Sequence, residues 1–233
     1  MEFKKRKIGP LDALCAGPLE NSKLVVLCHG FGAPGDDLAS LATVLPQVKK
    51  LSYLFPEAPL RLPPLLGGGR AWWNIDFAAR QEQMVRDGGL DMSKDSPEGL
   101  ESARKGFDGF IAECLSSGGG PKEIIVGGFS QGAMVTMDWA LRTQVELKGV
   151  IQWSTTYLCE DQWKPAMATL KPPVLQSHGR VDPILPFAMA EKLAGELKSV
   201  NSESQFIEFN GPHTIPESAL QSSQVFIKQW LDL

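Results

Sequence analysis

Five residues, Gly128-Phe129-Ser130-Gln131-Gly132, constrain this chain more than any others. They follow an apolar run, Ile124-Ile125-Val126, and precede a helical stretch from Ala133 to Ala140. A serine at a strand–turn–helix junction sits at the apex of a very tight turn. Glycines two before and two after let neighbouring backbone pass without a Cβ clash. The hydroxyl then projects at a helix N-terminus, where developing negative charge is favoured. The context predicts a nucleophile, Ser130, rather than an incidental serine in a glycine-rich turn.

The rest of the chain reads as βα units around a mostly parallel sheet, an α/β fold. Lys23–Cys28 is nearly all apolar, as a parallel strand covered on both faces should be. Similar runs predict strands at Leu51–Phe55, Glu123–Gly127, Gly149–Trp153, Val174–Ser177 and Gln205–Phe209. Asp36-Asp37 predicts a cap for a helix through Leu38–Ala42. Ser96-Pro97-Glu98 predicts a helix start, with Leu100, Ala103, Phe107, Phe110, Ile111 and Leu115 facing inward and Gly118-Gly119-Gly120-Pro121 as the stop. A helix beginning near Phe187 is expected after Pro186. A last helix, about Glu217 to Leu231, would pack through Leu220, Val225, Phe226 and Trp230. The segment from Pro56 to Leu90 breaks the alternation. It carries Leu65-Leu66, three glycines and Trp72-Trp73. Long loops inside a compact domain tend to be functional, so this one is expected to form a rim over the site. No repeat or linker divides residues 1–233, which predicts one domain.

Composition excludes several classes. A net charge of −4 supplies no basic surface for nucleic acid. No stretch reaches the roughly 18 apolar residues of a membrane helix. The basic start, Lys4-Lys5-Arg6-Lys7, leads into Gly9-Pro10 rather than an apolar signal segment. Four scattered cysteines and three histidines show no metal-ligand spacing. The expectations are a cytoplasmic protein, monomer or homodimer, with no metal.

A serine alcohol needs an adjacent base. His29 and His178 precede the acid candidate, whereas His213, after the last strand, comes last in the order nucleophile, acid, base. Asp182, in the loop after Val174–Ser177, is the candidate acid that would hold the imidazole tautomer. His178 supports its loop. The oxyanion of the tetrahedral intermediate needs preset donors. The backbone N–H groups of Phe31, in Cys28-His29-Gly30-Phe31-Gly32, and of Gln131 are assigned that role, with His29 bracing the loop.

These motifs together resemble the phospholipase/carboxylesterase family of α/β-hydrolases, which includes acyl-protein thioesterases, lysophospholipases and bacterial carboxylesterases. The carrying segments are His29-Gly30-Phe31-Gly32, Pro56-Glu57-Ala58-Pro59, Arg70-Ala71-Trp72-Trp73-Asn74-Ile75-Asp76, the serine turn, His178 to Pro186, and His213. The resemblance spans about residues 20 to 232. It implies an α/β-hydrolase fold and cofactor-free hydrolysis of ester or thioester bonds in acyl substrates. Two departures stand out. Ala33 occupies a position where eukaryotic thioesterases typically carry Asp. Ser154-Thr155-Thr156-Tyr157-Leu158 replaces a Ser-Gly-Tyr-Leu-like turn.

The expected activity is that of a serine carboxylesterase acting on a small acyl ester or thioester. Acyl-protein thioesterase and lysophospholipase remain open, since they share the machinery. A silent binding module would have lost a triad member, and a dienelactone hydrolase would normally carry cysteine at position 130. Phe31, Leu65, Leu66, Trp72, Trp73 and Leu185 are the expected acyl-pocket residues.

Overall fold

A computed structural model of the protein describes residues 2–20, 23–76, 78–80, 82, 85, 91–116 and 121–233. Among these, eight strands form one sheet in the order β1-β2-β4-β3-β7-β8-β9-β10. The strands are β1 (Phe3–Ile8), β2 (Leu11–Ala16), β3 (Lys23–Cys28), β4 (Leu51–Pro56), β7 (Glu123–Phe129), β8 (Gly149–Trp153), β9 (Val174–Gly179) and β10 (Gln205–Phe209). β1 and β2 run antiparallel to each other, as do β2 and β4. From β4 to β10 every pairing is parallel.

Side chains alternate across this sheet with the period of two that strands impose. Leu24, Val26 and Cys28 enter one apolar layer with α1 (Leu100–Ser116), α2 (Gln131–Ala140), α3 (Glu160–Met167) and α4 (Phe187–Val200). Val25 and Leu27 enter the opposite layer, closed by α5 (Glu217–Trp230) and a 3-10 segment at Ala39–Thr43. The helices therefore cover both faces, and no helix among the described residues is long and apolar enough to cross a membrane. α2 is buried along its whole length, as expected for a helix that is apolar nearly all round. Its one carboxylate, Asp138, accepts from Arg142 and the Trp163 indole and forms an ion pair with Arg104, which ties α1, α2 and α3 together.

Several expectations are corrected. Asp36 and Asp37 cap no α-helix. Leu38 stands at the cap of the 3-10 segment, which has no side-chain cap bond. α1 begins at Leu100 rather than near Ser96, because Gly99 adopts a left-handed φ of 96° that cannot propagate a helix. Its expected inward face is buried as anticipated, with Leu115 only partly so. The proposed stop at Gly118-Gly119-Gly120 lies outside the described residues. α5 packs through Ala219, Ser223, Phe226 and Ile227 with Leu220 and Trp230 partly buried beside them, so of its expected face only Val225 is misplaced, pointing to solvent at 65% exposure. The β1–β2 hairpin and α3 were not anticipated.

The rim is more ordered than a loop. β5 (Leu60–Arg61) and β6 (Arg70–Ala71) pair antiparallel around a 3-10 turn at Pro64–Leu66. β6 also bonds to the loop after β3: Gly32 N donates to Arg70 O at 2.8 Å, and Arg70 N donates to Ala33 O at 3.0 Å. The rim and the glycine loop thus share a ladder.

Candidate active site

Ser130 sits between β7 and α2 with φ 54° and ψ −119°. A non-glycine residue in that region is strained, and such strain persists only where neighbours over-determine it. Here they do. Ser130 N donates to Trp153 O at 2.9 Å, and Met134 N returns to Ser130 O at 3.1 Å. The turn packs so tightly on the end of β3 that a Cβ on Gly132 would meet Cys28 O at 2.2 Å, and one on Gly128 would meet the same oxygen at 2.5 Å. Only glycine fits at either position.

His213 lies in the loop between β10 and α5. Its Nδ1 is 2.6 Å from Asp182 Oδ2. A carboxylate only accepts, so Nδ1 carries a proton, and it is Nε2 that holds the lone pair in the neutral ring. The Phe129 ring packs 4.8 Å from the imidazole, centre to centre. Ser154 Oγ donates to Thr214 O and anchors the loop. Asp182 has a fully buried side chain whose Oδ1 accepts from Ile184 N at 2.8 Å and Leu185 N at 2.9 Å. Burial works to raise its pKa. The hydrogen bonds from His213 and from the Leu185 and Ile184 backbone outweigh that and leave it below the ordinary aspartate value. Asp182 is therefore ionised where a neutral imidazole could act as base.

His178 also faces Asp182, with Nε2 3.3 Å from Oδ2 and 2.8 Å from Leu185 O. Burial lowers its pKa and keeps it neutral, a brace for the acid loop as expected. His29 braces the glycine loop in the same way. Its Nδ1 is 2.8 Å from Gly30 O, and its Nε2 accepts from Ala58 N at 3.1 Å. Burial again pushes its pKa down.

Ser130, Gln131, Phe31 and His213 all line one open cavity of about 1090 Å³. Trp73 and Leu185 line it too. Two expected pocket residues do not. Leu65 is 95% exposed on the rim turn, because the short 3-10 segment turns it to solvent. Trp72 is only 2% exposed and belongs to the core. Its indole N–H donates to His29 O at 2.9 Å, and its ring meets Phe107 edge-on. The Leu66 side chain lies outside the described residues. Sequence reasoning missed Leu60, Ile75, Met92, Met134 and Ile184, which also line the cavity. Their only signal was apolar character, shared with the core.

Among the described residues, no group of three or more His, Cys, Asp or Glu could hold a metal ion. The residues present a strained serine, a buried carboxylate–imidazole pair and a helix N-terminus around one apolar-walled cavity. That set can carry acyl transfer through a serine ester.

The phospholipase/carboxylesterase family model matches residues 13–231. An acyl-protein thioesterase 1 from Gibberella zeae is 26% identical over 97% of this chain and 97% of its own. One from Kluyveromyces lactis is 32% identical over 76% of this chain and 78% of its own. Among solved structures, esterase PE8 superposes with a TM-score of 0.75 at 25% identity, covering 98% of this chain and 99% of its own. Zea mays acyl-protein thioesterase 2 has the same fold, with a TM-score of 0.68 at 21% identity over 94% of this chain and 98% of its own.

Proposed function

The chain belongs to the phospholipase/carboxylesterase family, and from that premise we propose that it is a serine carboxylesterase with Ser130 as nucleophile, His213 as base and Asp182 as acid. One observation carries this reading. The imidazole hydrogen-bonded to buried Asp182 borders the same cavity as a serine held at a strained, positive φ.

The residues take these roles. Ser130 Oγ attacks the acyl carbonyl while His213 Nε2 takes its proton, and Asp182 stabilises the imidazolium. The carbonyl oxygen gains negative charge and is met by the N–H groups of Phe31 and Gln131. Collapse of the intermediate breaks the bond to the leaving alcohol or thiol, which receives the proton from His213. Water then attacks the acyl-enzyme by the same route and releases the acid and free Ser130. Trp73, Leu185 and Phe31 form the acyl wall, beside the rim segment that carries β5 and β6.

The names of the fungal relatives favour a second reading within this chemistry, hydrolysis of a thioester on an S-acylated protein. Four free, buried cysteines suit a reducing compartment such as the cytoplasm. The test is hydrolysis of matched oxygen esters and thioesters of graded acyl length by the purified protein. Higher kcat/KM on oxygen esters supports the carboxylesterase reading. A preference for S-acyl peptides supports the thioesterase. No turnover of either class overturns both.

A further inference from the structure

Gln131 does two separable things. Its backbone begins α2 beside the serine, while its side chain, in a residue only 2% exposed, reaches across to the rim. There Oε1 accepts from Trp72 N at 2.9 Å, and Nε2 donates to Trp73 O at 2.9 Å. One amide thus clamps the backbone of two consecutive residues. Beyond the clamp the two tryptophans part. Trp72 turns into the core against Phe107 and the His29 carbonyl, and Trp73 borders the cavity with Ser130.

We propose that Gln131 is a specificity-determining positioning residue, whose side chain sets the distance between Ser130 and the Trp73 wall and so selects which acyl chains fit. The inference rests on the reading of Ser130 as nucleophile. Its physical basis is that Gln131 is bonded covalently to Ser130 and by two hydrogen bonds to the backbone around Trp73. Both the donor and the acceptor are required. Methionine has neither, and glutamate keeps an acceptor for Trp72 N but brings a carboxylate oxygen against the Trp73 carbonyl. Buried backbone groups that lose their partners move to find others. A small displacement of an apolar wall changes discrimination between chains that differ by methylenes.

The test is a series of p-nitrophenyl esters from short to long, read as kcat/KM for unaltered protein, Gln131→Met, Gln131→Glu, Trp73→Ala and the Gln131→Met/Trp73→Ala pair. The ratio between best and poorest chain should change by about tenfold or more in Gln131→Met, and by at least as much in Gln131→Glu, whose buried carboxylate faces the Trp73 carbonyl. Gln131→Met should add no further change in ratio once Trp73 is alanine, since the two act as one unit. An unchanged ratio with all substrates slowed together overturns the inference, as does full additivity in the pair. If Gln131→Met fails to fold, Gln131→Glu, which keeps one bond, carries the comparison against Trp73→Ala. Unaltered protein that turns over no ester overturns the esterase reading and this inference with it. Turnover with an unchanged profile in the variants overturns the inference alone.

Discussion

Ser154 donates its hydroxyl to the Thr214 carbonyl at 3.0 Å, so the end of β8 grips the loop that carries His213. Ser154 itself has a φ of 47°, a conformation that costs a non-glycine residue energy. Removing the hydroxyl with Ser154→Ala loses a bond worth about 0.5–1.5 kcal/mol and keeps the strain. We expect kcat/KM to fall by up to about tenfold. Ser154→Gly should lose similar activity yet melt at least as high as Ser154→Ala, because glycine accepts positive φ. Steady-state kinetics beside thermal melts check both. Full activity in both variants would remove the grip from the account.

Ser130→Ala should reduce hydrolysis on the order of 10⁴-fold while leaving circular dichroism and the melting point near those of the unaltered protein, since catalytic groups of this kind act as a unit. A fluorophosphonate should label the unaltered protein at Ser130, found by peptide mass mapping. A folded Ser130→Ala protein that still turns over ester at more than a few per cent would sink the mechanism.

Trp72 and Trp73 should behave differently despite being adjacent. Trp72→Ala opens the core beside Phe107 and should destabilise by about 3–5 kcal/mol, slowing all substrates together. Trp73, 3% exposed, is also a core residue, so Trp73→Ala should cost stability on the same scale, but it alone borders the cavity and should reorder preference along an ester series. The kinetic series distinguishes them, with chemical denaturation reporting the stability of each variant. Reordering in Trp72→Ala alone would reverse the assignment.

Acid should weaken the fold through histidine before it reaches the carboxylates. His29 and His178 have folded pKa values lowered below the reference 6.5, mainly by burial. The unfolded chain binds protons at these sites first. Stability is therefore fully present above about pH 6.5 and is lost as pH falls toward the folded values. Asp182, also lowered, adds a second loss only below the ordinary aspartate value of 3.8. One histidine contributes at most about 1.4 kcal/mol per pH unit. His29→Gln keeps a donor for Gly30 O and an acceptor for Ala58 N without a titrating ring. Urea midpoints should fall between about pH 7 and 5, and fall less in His29→Gln. Equal slopes would show that His29 is not part of the linkage.

The serine turn was legible because packing leaves it so few solutions. Gly128 and Gly132 must lack Cβ where the turn crosses Cys28, and that demand is visible as letters. The parallel strands were legible because burial on both faces makes their sequence continuously apolar. β1 was missed for the opposite reason. Its residues Phe3 to Lys7 are all exposed, so no apolar period marks it as a strand. The role of the Gln131 side chain was hidden as well, since its partners are backbone atoms of residues nearly sixty positions away. Leu65 was misplaced because apolar character alone does not say which way a short turn faces. The family was legible in the motifs and the family match bears it out, while the distances around Asp182 came only from the fold.

β1 closes one margin of the sheet with Lys4, Lys5, Arg6 and Lys7 all turned to solvent. An open margin exposes unpaired backbone groups that can template another chain and grow into a fibre. Here a second copy aligned margin to margin would bring this run of cations against its twin. Exposed ion pairs of Lys4 with Glu2 and Lys7 with Asp12 offset only part of that charge. The tract that hid the strand from sequence reading thus acts as a guard against aggregation, strongest in dilute buffer and weakened as salt shortens the reach of charge to about 10 Å at 0.1 M.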